Sequence, residues 1–250
     1  MVKISFSIIG HNEADFIEGC FESLKDIAYE IIYVDCQSSD NSVEIAKKYT
    51  DKIFYRENNL NLNVNKQFGI EHCIGDWIFY IDPDERLTEE LKKEILKVLE
   101  GTEYNGFLIS RKNYYLGKWI KYGGKYPDRQ LRLFKNGKGV FECKSIHERI
   151  KVDGKIGLLK EYFEHIVVKD LKHMVSKMDS YINRGAIEMI RLNRKPSRVL
   201  FRSIRNFFIN YLFKFGFLDG KIGFFVALID LLNGFFYYFK VKEIEGNKRI

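Results

Sequence analysis

Residues 82–85, Asp-Pro-Asp-Glu, place three carboxylates within four positions, directly after the apolar run WIFYI. Like charges this close repel one another unless plentiful water or a cation screens them. An Asp-x-Asp at the end of a buried strand can hold a divalent metal, which prefers carboxylate oxygens and keeps positions open for phosphate. Metal bound to a nucleotide diphosphate neutralises the charge that builds up as the diphosphate leaves. The competing reading is a solvated Asp-Pro turn that caps the next helix.

The elements that must position these residues narrow the choice. KISFSIIG, YEIIYVDC, DKIFYRE and DWIFYID are short runs rich in Ile, Val, Phe and Tyr, which predicts four strands. Helical patterns lie between them. EADFIEGCFESLKD is apolar at Phe16, Cys20, Phe21 and Leu24, SSDNSVEIAKKY opens on the capping residues Ser39 and Asp40, and NVNKQFGIEHC supplies a third helix. Such alternation builds a parallel sheet covered on both faces, whose sites lie beyond the carboxyl ends of its strands. Those ends are residues 11–13 (HNE), Asp35 and residues 82–85, so three polar clusters converge on one edge. Farther on, TEELKKEILKVLE reads as an amphipathic helix capped by Thr88, and residues 170–192 as another. YNGFLISRKNYYLGKWI and RQLRLFKNG read as strands of a mixed sheet.

With 250 residues, 46% of them hydrophobic, the chain can bury one substantial core and a small appendage. Four cysteines lack CxxC spacing, and residues 1–3 lead straight into a strand-like run, which favours a reduced, cytoplasmic setting without a zinc site. Residues 1–110 carry 11 basic and 21 acidic side chains, whereas residues 111–250 carry 30 and 13. A basic, aromatic second half suits an anionic membrane, nucleic acid or a phosphate-bearing substrate. Its tail contains IGFFVALIDLLNGFFYYF, residues 222–239, with Asp230 as the one charge. Strong apolar residues favour insertion by roughly 0.5 kcal/mol each, while a central Asp opposes it by about 2.5 to 3.5 kcal/mol. Asn233 and two glycines weaken insertion further, so an interfacial hairpin is expected rather than a spanning helix. Upstream, Arg191, Arg194, Lys195, Arg198, Arg202 and Arg205 form a stripe worth about 1 kcal/mol per side chain beside an anionic leaflet.

Several ordered segments resemble the family-2 glycosyltransferases of the A-type fold, in particular the lipopolysaccharide-core and cell-envelope branch. SFSIIGHNE is similar to that family's opening strand, and EIIYVDCQSSDNSVEIAKKY to its second strand and helix start. NKQFGIEHCIGDWIFYIDPDE is similar to the stretch that ends in its metal-binding Asp-x-Asp. YPDRQLRLFKNG, IHERI and GFLDGKIGFFVAL match later signatures, so the likeness spans nearly the whole chain.

The resemblance implies an α/β fold, a Rossmann-like mixed sheet flanked by helices over residues 1–165. A basic, aromatic helical extension over residues 166–250 would associate with a membrane. The implied activity is metal-dependent and inverting: a hexose-type sugar passes from a UDP-type nucleotide-sugar donor to a hydroxyl of a lipid-linked or envelope glycan acceptor. The enzyme would work on an anionic membrane surface, peripheral to its cytoplasmic face, without nucleic acid. The alternatives are a nucleotidyltransferase with a related core, and a non-catalytic membrane or nucleic-acid binding protein.

Carried residue by residue, the resemblance assigns Asn12, Glu13, Asp35, Ser38 and Asp40 to the nucleotide, with Glu13 and Asp35 on ribose and uracil. Lys66 would meet the phosphates, Asp82 would lie near the ribose, and Asp84 would coordinate Mg²⁺ or Mn²⁺ with His147 or His165 completing the shell. Gln67 stands where this branch often has Asn. Glu148 is the expected general base and Asp128 the alternative, while Arg129 and Arg132 would face the diphosphate or an acceptor phosphate.

Overall fold

The computed structural model describes residues 2–145 and 148–247. The chain runs β1 (Ile4–Gly10), α1 (Ala14–Leu24), β2 (Glu30–Asp35), α2 (Ser42–Ala46), β3 (Ile53–Tyr55), α3 (Leu62–Glu71) and β4 (Trp77–Ile81). It continues with β5 (Glu85–Leu87), α4 (Glu89–Leu99), β6 (Gly106–Tyr115), β7 (Lys118–Trp119), β8 (Asp128–Lys135), β9 (Gly139–Val140), β10 (Lys151–Val152) and β11 (Ile156–Val168). Helices α5 (Leu171–Arg191), α6 (Pro196–Phe208) and α7 (Gly220–Asn247) close it, with a π-helical turn at Ile209–Phe213 and a 3-10 turn at Gly216–Asp219 between the last two.

Two compact units emerge. The first comprises Met1–Arg111 and Asp128–His165. Its main sheet has the order β3-β2-β1-β4-β8-β6-β11-β5, parallel from β3 to β4 and antiparallel at β8. Strands β1, β2 and β4 are buried along their whole length, which is why they read as unbroken apolar runs. Their side chains alternate between two layers. Phe6, Ile8, Tyr33 and Phe79 pack with Ile17 and Phe21 of α1 on one face, while Ile32, Val34, Ile78 and Tyr80 pack with Ile70 of α3 on the other. Each such aromatic or aliphatic side chain contributes about 1.5–3 kcal/mol by burial.

On the α3 face β1 offers the small residue Ser7, and Gly69 lies directly over it, where a Cβ would collide with the serine hydroxyl. This close approach seats α3 on the sheet and fixes Lys66 one turn earlier. Three strand registers then gather the rest of the site. Strand β8 runs antiparallel to β4 with Leu133 opposite Phe79, β6 sets Arg111 opposite Asp128, and β11 sets His165 opposite Glu85.

The second unit comprises Lys112–Pro127 and Ile166–Ile250. Residues 112–127, read from the sequence with the first segment, group instead with the tail. Asp219 accepts hydrogen bonds from the amides of Lys121 (3.1 Å) and Tyr122 (2.8 Å), and Asp230 pairs with Lys125 at 2.7 Å. The tail also departs from the expected hairpin at 222–239, because α7 is one uninterrupted helix of 28 residues and the turn comes before it. Its glycines pack rather than break: Gly234 lies against Ser203 of α6, and Gly223 against the carbonyl of Gly216. Within Gly216–Gly246 an 18-residue stretch of mean hydropathy 1.7 is long and apolar enough to cross a membrane by length and composition.

Candidate active site

Two of the three carboxylates at 82–85, Asp82 and Glu85, draw their cations from the protein itself. Glu85 is fully shielded and accepts from Arg132 Nη2 at 2.6 Å and Arg111 Nη1 at 3.0 Å. Asp82 receives the same Arg132 nitrogen at 2.8 Å on one oxygen and Lys66 Nζ at 2.7 Å on the other. Arg111 goes on to Asp128, 2.8 Å away. The result is an alternating chain, Lys66, Asp82, Arg132, Glu85, Arg111, Asp128, in which each buried charge has an opposite neighbour. Pairing matters here because an isolated ion costs several kcal/mol to bury. Burial alone would raise the Asp82 carboxyl, but Lys66 and Arg132 outweigh it and hold the group well below the usual carboxylate range. Burial likewise opposes the Arg132 charge, and Glu85 and Asp82 outweigh it. Arg132, expected to face substrate, is therefore an internal strut whose guanidinium lies over the Tyr80 ring at 4.4 Å.

Asp84 faces a different partner. Its Oδ2 lies 3.3 Å from Nε2 of His165, and both side chains are mostly buried. Adjacent corners of an octahedron with ligands at about 2.1 Å are about 3.0 Å apart, so these two donors fit one divalent ion. Among the described residues no three His, Cys, Asp or Glu side chains gather into a metal cage. The remaining donors would then be phosphate and water oxygens, the usual arrangement for an ion carried on a nucleotide. His147 lies outside the described residues.

The loops after β1 and β2 are knitted to each other. Asn12 adopts a left-handed backbone (φ 58°), a conformation Asn tolerates better than most residues. Its amide donates to Ser38 Oγ at 2.9 Å, and its side-chain oxygen accepts from the Ser39 amide at 2.7 Å. Asp40 accepts from the amides of Ala14 and Ser42, each at 3.0 Å. Burial works against the Asp40 charge, yet the bonds from Ser42 and Ala14 keep its carboxyl below the ordinary value. Asn12, Ser38 and Asp40 thus shape the two loops, and the Glu13 amide joins them by donating to Ser42 Oγ at 2.8 Å. Asp35 is 2% exposed and accepts from the Ser38 amide (3.1 Å) and the Tyr33 hydroxyl (3.3 Å).

Beside Asp35 lies a cleft of about 320 Å³ lined by Tyr55, Arg56, Glu57, Asn59 and Asn65. Strand β3 pairs Tyr55 with Asp35 and leaves the tyrosine 65% exposed. Sequence reasoning passed over these residues. The available signal was their place at the carboxyl end of the third strand, the same rule that flagged the other three ends.

Of the two carboxylates considered as base, Glu148 accepts from the amides of Cys143 (2.6 Å), Lys144 (2.6 Å) and Ser145 (3.2 Å). The loop so closed is tied to the start of α3, where Asn61 and Asn63 donate to the carbonyls of Cys143 and Ser145, each at 2.9 Å. Gln67 supports the same region by accepting from the Phe141 amide at 2.9 Å. Asp128 stands at the start of β8 with 24% of its side chain open, held by Arg111 and by Gln130 Nε2 at 2.6 Å. Arg129 is exposed. Lys66, Asp82, Asp84, His165 and Asp128 therefore belong to one connected region at the carboxyl end of β4, while Glu148 belongs to the loop on α3.

The family model described as "Glycosyl transferase family 2" matches residues 5–167, which is almost all of β1 through β11. The chain belongs to glycosyl transferase family 2. This glycosyltransferase is 30% identical over 199 residues to the lipopolysaccharide core biosynthesis glycosyltransferase LpsC of Rhizobium meliloti, covering 74% of the chain and 73% of LpsC. It is also 28% identical over 271 residues to an uncharacterized glycosyltransferase of Rickettsia typhi, covering 100% and 90%. Among solved structures, residues 1–349 of S. aureus TarS in complex with UDP share the fold at a TM-score of 0.53 and 15% identity, over 75% of this chain and 65% of that one. The mixed sheet flanked by helices is the A-type glycosyltransferase fold.

Proposed function

We propose that this glycosyltransferase moves a hexose-type sugar, with inversion, from a UDP-type donor to a hydroxyl of a lipid-linked or cell-envelope glycan, at an anionic membrane surface on the cytoplasmic side. The observation that supports the reading is Asp84 lying 3.3 Å from His165 beside the Lys66–Asp82 ion pair, an arrangement that suits a divalent ion and the phosphates it would carry. UDP in the TarS complex and the lipopolysaccharide role printed for LpsC support the donor and acceptor classes.

Asp84 and His165 would hold Mg²⁺ or Mn²⁺, whose chemistry when bound is to neutralise the leaving diphosphate as a Lewis acid. Lys66 offers a point charge to the phosphates while resting on Asp82. Asp35 and Glu13 serve the uracil and ribose as acceptors, and Tyr55 supplies an aromatic surface next to Asp35. Asp128 suits the general base better than Glu148, whose oxygens hold three loop amides. Arg111 grips Asp128 and orients it, so the carboxylate can take the acceptor proton as the hydroxyl attacks the anomeric carbon.

Incubation with UDP-sugars, Mn²⁺ and envelope glycolipid, followed by phosphate and anomer analysis, tests the proposal. Release of UDP with an inverted linkage is expected. Pyrophosphate release, or UDP binding that is indifferent to metal and to Asp84→Asn, would overturn it.

A further inference from the structure

The second unit contains an amphipathic helix whose apolar side faces outward. Helix α6 buries none of its residues. Phe201, Ile204, Phe208 and Leu212 follow one another at three- and four-residue spacing, and Phe201 is 71% exposed. The stripe extends into the turn, where Phe213 is 75% and Phe215 55% exposed, followed by the exposed Phe217 and Leu218. Phe215 is held at φ 58°, a backbone that bulky side chains rarely adopt. Contiguous exposed apolar surface of this kind marks an interaction site.

Charge identifies the occupant. Residues 195–218 hold Lys195, Arg198, Arg202, Arg205 and Lys214 and no acidic residue. A second copy on the same face would set these cations against their own duplicates, which opposes self-association. The partner must be apolar and anionic together, and a bilayer with anionic headgroups is both. Helix α7 is the more hydrophobic by sequence and also exposes Phe224, Phe236 and Phe239. It is, however, anchored in its unit through Gly234 on Ser203, Gly185 under the Tyr237 ring and Asp230 on Lys125, and residues 222–239 carry no cation to meet an anionic headgroup. We propose that α6 and the turn after it, rather than α7, seat the enzyme on anionic lipid. This deepens the membrane-side reading above and rests on it, but its test needs neither donor nor acceptor.

The test is co-sedimentation of the full chain with vesicles of mixed phosphatidylglycerol and phosphatidylcholine, and of phosphatidylcholine alone, with UDP binding measured separately on every variant. Binding to the mixed vesicles is expected, at least about tenfold weaker on phosphatidylcholine alone and weakened by salt. Phe213→Ser with Phe215→Ser should lower it by about tenfold or more, and Phe236→Ser with Phe239→Ser, on α7, by less than about threefold. The reverse ranking would overturn the proposal. So would a wild-type chain that ignores the mixed vesicles and instead dimerises or binds an oligonucleotide. A wild-type chain that binds UDP but not the mixed vesicles would remove only this surface, whereas a wild-type chain that binds the vesicles but not UDP would remove only the donor reading.

Discussion

The guanidinium of Arg132 lies 2.6 Å from the carboxylate of Glu85, and neither side chain has appreciable contact with solvent. Removing one partner leaves an uncompensated buried charge, which costs about 3–5 kcal/mol. Glu85→Gln and Arg132→Met should each destabilise the protein by about that much, and the double variant by clearly less than the sum. Urea unfolding measures all three. Single variants within about 1 kcal/mol of wild type would mean that the pair does not hold the strand end together.

Asp84→Asn should abolish metal-dependent UDP binding and lower transfer by about a hundredfold or more, since Lewis-acid assistance is worth several kcal/mol. His165→Ala should weaken metal more than it weakens nucleotide. With an imidazole donor present, Mn²⁺ should activate better than the harder Mg²⁺. Calorimetry with each ion checks both statements, and equal metal affinity in wild type and His165→Ala would remove the histidine from the shell.

For the base, Asp128→Asn should leave UDP affinity intact while transfer falls by roughly 10² to 10⁴ fold. Glu148→Gln should keep most of its turnover and lose stability in the 143–145 loop. The opposite pattern in steady-state rates returns the role to Glu148.

Acid should act through Asp82. Its folded-state carboxyl titrates below the unfolded value of about 3.9, so between the two the unfolded chain binds more protons and stability rises with pH. The contribution is complete above about pH 5 and drains away as pH falls toward the folded value. Melting temperature followed from neutral to acid should fall less steeply in Asp82→Asn than in wild type. Parallel curves would contradict the pairing.

The sheet was largely legible because its central strands are buried on both faces, so runs such as that of β2 stand out without alternation. Strand β11 was not read. Its buried Leu159 and Phe163 are four positions apart, which suits a helix as well as a strand. Within the site, Asp82, Asp84 and Glu85 look alike in sequence, and what separates them is distant. Glu85 draws its arginines from 26 and 47 positions away, and these decide that it is structural while Asp84 turns to His165. Asn12 and Asp40 were visible as loop residues, but the bonds of Asn12 with Ser38 and Ser39, and of Asp40 with Ala14, required the two strand ends to be side by side.

In the tail, Gly223→Ala gains intrinsic helix propensity of about 0.8–1.0 kcal/mol yet should destabilise, because the new methyl would collide with the Gly216 carbonyl. Gly246→Ala meets nothing within 4 Å and should be neutral or slightly stabilising. Thermal melts of the two distinguish close packing from a loosely held helix.

The carboxylate of Asp219 gives shorter versions of this protein an unexpected liability. Any truncation upstream of it strands the Lys121 and Tyr122 amides without their acceptor, so a shortened enzyme is injured near residue 120 as well as at its end. Lost activity in such a fragment would speak to a collapsed interior segment before it spoke to lipid. Point changes on the outer aromatics are the cleaner instrument.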